Sequence, residues 1–193
     1  LLLYGNSFYG DWHFDDYHNI VDNPNVHLQS LSWQDIRKTF REVADTSEGG
    51  HTTRPLAFLS FGLNHFFGDT NVFGYHAVNF VIHVAAAVFL FLFVYETLRL
   101  PLLRDRYGEE AYGIALLSSV LWATSTLQVN AVAIIVQRMA SMAAMFYIMA
   151  MYFYLKGRVA DRRGKMVGFF VLAGICALLS LGSKENAAML PVS

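Results

Sequence analysis

Tyr75-His76-Ala77-Val78-Asn79-Phe80-Val81-Ile82-His83-Val84-Ala85-Ala86-Ala87-Val88-Phe89-Leu90-Phe91-Leu92-Phe93-Val94-Tyr95 contains no Asp, Glu, Lys or Arg. At a rise of about 1.5 Å per residue, a helix of this length covers about 30 Å, the hydrocarbon thickness of a bilayer. That reading sets the fold class: an all-α, polytopic membrane protein. Composition agrees. The 193 residues are 55% hydrophobic and 15% charged, where soluble chains carry about a quarter charged residues. The net charge of −1 offers no basic excess to displace counterions from phosphates, which argues against a nucleic-acid partner. The single cysteine, Cys176, lies in an apolar run and can form no intrachain disulfide.

Further apolar runs follow. With the first they give spans at about 75–98, 111–123, 139–155 and 166–182 of a single transmembrane domain. Polar residues break the second run at Thr124-Ser125-Thr126, so a short apolar segment dipping into the interface is expected before the third span. Leu1 to Leu3 read as the tail of a preceding span and Ala187 to Ser193 as the start of another, which makes the chain an N-terminal fragment of a longer protein. Arg99, Arg104 and Arg106 fall between the first and second spans. Lys156, Arg158, Arg162, Arg163 and Lys165 fall between the third and fourth. Short basic loops mark the cytoplasmic side, and two loops separated by two spans must share a side. Residues 4–74 then form a first outer loop on the non-cytoplasmic face, together with the 124–138 segment and Ser183-Lys184-Glu185.

The outer loop has its own helical signals. Ser32-Trp33-Gln34-Asp35 resembles a helix start, and Trp33, Ile36, Phe40 and Val43 recur at helical spacing opposite Arg37, Lys38 and Arg41. An interfacial amphipathic helix fits that pattern, as does a helix packed on its own loop. A second helix starts at Arg54-Pro55 and runs to Phe67, apolar nearly all round. Asp22-Asn23-Pro24-Asn25 and Glu48-Gly49-Gly50 mark turns.

On the outer face gather Asp15 and Asp16, Arg54, His65, His76, Gln137, Arg138, Lys184 and Glu185. A carboxylate can take a proton from a hydroxyl, and cations near it can hold a departing anion. The pattern suits sugar transfer from a lipid phosphate. Each residue also has a plainer role: adjacent aspartates cap turns, Arg138 and Lys184 snorkel at helix ends, and Lys184 pairs with Glu185. His76, Asn79 and His83 share a helical face and serve as hydrogen-bond glue within a bundle. His13 and His18 flank the acidic pair and leave a divalent metal open, though the spacing matches no closed ligand set.

Phe14-Asp15-Asp16 with Ile20-Val21-Asp22-Asn23-Pro24-Asn25-Val26 resembles the first-loop motif of polytopic O-mannosyltransferases that carry tetratricopeptide repeats, and of their bacterial relatives. Arg54-Pro55-Leu56 with Leu63-Asn64 and Tyr75-His76-Ala77-Val78-Asn79 with His83 are similar to later stretches of that family. Val136-Gln137-Arg138-Met139-Ala140-Ser141 and Leu181-Gly182-Ser183-Lys184-Glu185-Asn186 continue the likeness. The chain departs from the family at Ser125-Thr126, where relatives often have His-Pro, and at Asn130, where many have Glu. The resemblance implies a GT-C glycosyltransferase bundle and a polyprenyl-phosphate-linked sugar as donor. It also implies a protein or glycan hydroxyl as acceptor, with inversion at the sugar. Asp15 and Asp16 would be the catalytic pair, Asp15 as the base and Asp16 as its structural or acceptor-orienting neighbour, and Arg138 and Lys184 would face the lipid-linked phosphate. The implied location is integral and multi-pass, in the plasma or inner membrane for a bacterial relative. Two other classes fit the bare residue pattern: a transporter or flippase, and a non-catalytic platform for C-terminal repeats.

Overall fold

The computed structural model describes residues 4–40, 54–184 and 187. The described chain is helical and contains no strand. In the outer loop, α1 (Phe14–Asp16) runs into a single π turn over Tyr17–Val21. Asn23 then caps a 3-10 turn at Pro24–Val26, its Oδ1 accepting from Asn25 N at 3.0 Å. Ser32 opens α2 (Trp33–Lys38), its Oγ accepting from Asp35 N at 3.2 Å. The helix stops at Lys38, earlier than its apolar spacing suggested. Val43 and the Glu48-Gly49-Gly50 turn lie outside the described residues. Pro55, whose missing N–H costs nothing in a first turn, begins α3 (Pro55–Gly68).

The long uncharged run forms α4 (Val72–Leu98), capped by Asn71. A short basic α5 (Pro101–Tyr107) leads into α6 (Ala111–Thr124). Ser125 then breaks the path, and α7 (Val129–Ala133) leaves at a bend of 53°. A further irregular turn at Ile134 precedes α8 (Arg138–Arg158), and a tight loop leads to α9 (Arg163–Ser183). Among the described residues, three helical stretches are long and apolar enough to cross a membrane: Val72–Leu98, Ile135–Arg158 and Arg163–Ser183. The bent pair of α6 with the α7 segment would make a fourth if taken as one span. At 14 residues, α6 alone covers about 21 Å, too short for the hydrocarbon core.

A broken helix leaves backbone carbonyls without partners, a costly state away from water. The polar face of α4 supplies the donors. His83 Nε2 meets Ala123 O at 3.0 Å, and His76 Nδ1 meets Val132 O at 3.1 Å. Asn79 Nδ2 donates to Ile134 O and Ile135 O at 3.4 and 3.3 Å. His83 also stacks on Trp122 at 5.3 Å. Hence His76, Asn79 and His83 are the glue that holds the bent segment against α4.

At the other end of the bundle, Lys156 Nζ meets Glu96 at 3.0 Å and ties α8 to α4. The basic residues of both short loops lie at that end. A hydrophobic core lies at the opposite end, where Ile20, Val26, Ala57, Phe61, Tyr75, Ile135, Val136 and Met139 join the outer loop to α3, α4 and α8. Gly62 allows this closure: a Cβ there would come within 2.9 Å of Leu28 and 3.1 Å of Thr39.

Candidate functional site

The two aspartates have opposite surroundings. Asp16 is fully buried. Its Oδ2 accepts from His13 N at 2.9 Å while its own N donates to His13 O at 2.8 Å, closing α1 on itself. Its Oδ1 accepts from Val136 N at 2.6 Å, across 120 residues of sequence. One carboxylate therefore fixes both the start of α1 and the approach to α8. Asp15, the preceding residue, faces the other way. It is exposed, and among the described residues its carboxylate has no hydrogen-bond partner; only its carbonyl is engaged, by Asn19 Nδ2 at 2.8 Å. Phe14 beside it is 92% exposed.

Arg138 does not reach the surface. It is fully buried, and its donors go to Asn79 Oδ1 (2.7 Å), Asn64 Oδ1 (2.6 Å), Tyr75 O (2.8 Å) and Ser60 O (3.2 Å), with Ser60 Oγ at 3.5 Å. The rings of Phe61 and Tyr75 cover the guanidinium, their centroids 4.8 and 5.5 Å from Cζ. A planar fork with five N–H groups suits such a cage, where a lysine could not satisfy as many acceptors. The resemblance implies an Arg138 that faces a lipid-linked phosphate; here the described residues enclose its guanidinium and make it the hub of α3, α4 and α8.

The other cations lie differently. Arg54 precedes α3, and its Nη1 contacts Met139 Sδ at 3.2 Å. Lys184 ends α9 and is half-buried. Their elements touch, since a Cβ on Gly182 would sit 3.6 Å from Leu56 Cβ and 4.0 Å from Pro55 Cγ. Thus Arg54 and Lys184 come from adjoining helix ends; the start of α8, with the caged Arg138, adjoins the end of α9 as well, Ser180 Oγ donating to Ala143 O at 2.7 Å. Gln137 is half-buried at the start of α8. Glu185 lies outside the described residues. His76 is fully buried, its Nδ1 on Val132 O and its Nε2 without a hydrogen-bond partner among the described residues, beneath Gly10, where an added Cβ would lie 3.3 Å from it. His65 is removed from this group. It stacks on His27 with ring centroids 4.4 Å apart and meets Asp69 at 3.1 Å.

Among the described residues, no three His, Cys, Asp or Glu side chains come together to hold a metal ion. His13 and His18 are both exposed. A groove of about 820 Å³ between α4 and α6 is lined by none of the candidate site residues.

Sequence reasoning did not find the cage around Arg138. Its signal was Ser60 and Asn64, polar residues one turn apart on an otherwise apolar helix. The Asp16 partner is a backbone N–H and carries no sequence signal.

The fold and site define an all-helical membrane protein with a carboxylate displayed at one end of its bundle and the basic loops at the other. Human protein O-mannosyl-transferase TMTC2 is 31% identical to the chain over 191 residues, 96% of the chain and 21% of that protein. Mouse protein O-mannosyl-transferase TMTC1 is 31% identical over 190 residues, 92% of the chain and 19% of that protein. Drosophila melanogaster protein O-mannosyl-transferase Tmtc1 is 28% identical over 204 residues, 96% of the chain and 22% of that protein. Over the segment it spans, the chain is a relative of the protein O-mannosyl-transferases. It spans about a fifth of the length of the curated relatives it matches. No family model matches it, and no solved structure does.

Proposed function

We propose that the chain is part of a glycosyltransferase that moves a sugar from a polyprenyl-phosphate donor to a hydroxyl of a protein or glycan, on the non-cytoplasmic face. The relatives' name makes mannose the first sugar to try. The observation that carries the reading is the pairing of an exposed Asp15 with a buried, doubly bonded Asp16: one acid is presented and the other does the presenting. In the reaction, Asp15 takes the proton of the acceptor hydroxyl as its oxygen attacks C1 of the sugar. The C1–O bond to phosphate breaks, polyprenyl phosphate leaves with the electron pair, and C1 inverts. Arg54 and Lys184 would meet the departing phosphate, and Arg138 holds the frame. One protein carboxylate suffices, because the acceptor itself is the nucleophile and no glycosyl-enzyme intermediate forms.

The test is donor choice. The full-length protein, reconstituted in liposomes with a hydroxyl-bearing acceptor peptide, is given either polyprenyl-phosphate mannose or a nucleotide-linked mannose. Transfer from the lipid-linked donor alone supports the proposal. Transfer from the nucleotide donor, or from neither, overturns it.

A further inference from the structure

At the basic end of the bundle, a groove of about 730 Å³ opens between the α8–α9 loop and the first turns of α9. Its rim carries Lys156, Asp161 and Lys165, and its walls are Val159, Phe169 and Leu172. Along α9, Lys165, Gly168, Phe169 and Leu172 fall at i, i+3, i+4 and i+7, so one helical stripe descends from a cation into the apolar span. That descent is about 10 Å. Gly168 keeps the floor open, since a Cβ there would meet nothing within 4 Å. Val159, Val171 and Leu172 are 44%, 55% and 42% exposed, so the trough is uncovered among the described residues.

The charges around it do not balance. Lys156 is paired with Glu96 at 3.0 Å, and Arg158 is engaged by Tyr154 Oη at 3.2 Å. Arg162, Arg163 and Lys165 have no ion-pair partner among the described residues, and Asp161 is the single carboxylate of the loop. A rim with an unpaired lysine, Lys165, beside the basic Arg162 and Arg163 and over an apolar trough at the end of a spanning helix, has the shape and charge to take an anionic amphiphile. We infer that this groove is a binding site for an anionic phospholipid, with the phosphate at Lys165 and an acyl chain along Gly168, Phe169 and Leu172. Basic pockets at the cytoplasmic ends of spanning helices hold anionic headgroups in this way.

The full-length protein in detergent is titrated with dioleoyl-phosphatidylglycerol, with dioleoyl-phosphatidylcholine and with inorganic phosphate, and bound lipid is counted by native mass spectrometry. Phosphatidylglycerol should bind in clear preference to phosphatidylcholine, and millimolar phosphate should not displace it. Lys165→Gln should weaken phosphatidylglycerol binding about fivefold, the value of one interfacial cation. Asp161→Asn should strengthen it, a gain that no folding defect would produce. Gly168→Leu should displace the lipid by filling the floor. Equal binding of the two lipids, displacement by phosphate alone, or a preference untouched by all three substitutions would overturn the inference.

Discussion

At the residue scale, neighbouring aspartates divide their work by burial. Asp16 accepts two backbone N–H groups. Asparagine in its place would retain one acceptor and turn an NH2 toward a donor, so Asp16→Asn should cost about 1–3 kcal/mol, visible as a lowered melting temperature in detergent. Arg138 is bound more tightly still. Replacing it by methionine would leave Asn64 Oδ1 and Asn79 Oδ1 without donors and take the second donor from the helix carbonyls of Ser60 and Tyr75. A loss of about 3–5 kcal/mol is expected for breaking a buried charged network of this kind. Arg138→Met should therefore fail to accumulate as folded protein in membranes, and a folded variant lacking only donor binding would contradict the cage as its main role.

At the element scale, the bent α6–α7 segment depends on α4 more than on itself. Asn79→Leu removes the acceptor for Arg138 Nε and the donor for Ile134 O and Ile135 O together. Amide hydrogen exchange over 124–137 should rise in that variant while α9 keeps its protection. The amphipathic helix α2 offers a pH test. Hydrogen bonds from Lys38 and then Ser30 hold the Asp35 carboxyl below its ordinary value of 3.8. A depressed folded pKa gives stability that is present above 3.8 and is lost as pH falls through the lower, folded value. Trp33 fluorescence should report loosening of α2 only under those acidic conditions, and a transition near neutral pH would contradict the assignment.

At the scale of the whole molecule, the helices long enough to span lie where uncharged runs lie in the sequence, because hydropathy over some twenty residues is a local property. The glue role of His76, Asn79 and His83 was legible for the same reason: their spacing puts them on one face. The burial of Arg138 was not legible, since a helix-end arginine looks the same whether it snorkels or is caged by Ser60 and Asn64 from another helix. The residue pattern alone did not separate Asp15 from Asp16; the family resemblance did, and the burial behind it rests on Val136 N arriving from 120 residues away. The topology read from the basic loops makes its own prediction. Single cysteines placed at Asn19 and at Ala160, in a background with Cys176 replaced, should label from opposite sides of sealed vesicles.

The decisive residue is Asp15. Transfer from polyprenyl-phosphate mannose is measured for the protein and for Asp15→Asn, with the melting temperature of each. Removing a general base costs about 10²–10⁴ in rate. Transfer should therefore fall at least about a hundredfold with melting unchanged, because no described residue leans on the Asp15 carboxylate. Transfer that persists in Asp15→Asn at the level of the unaltered protein would contradict its role as the base.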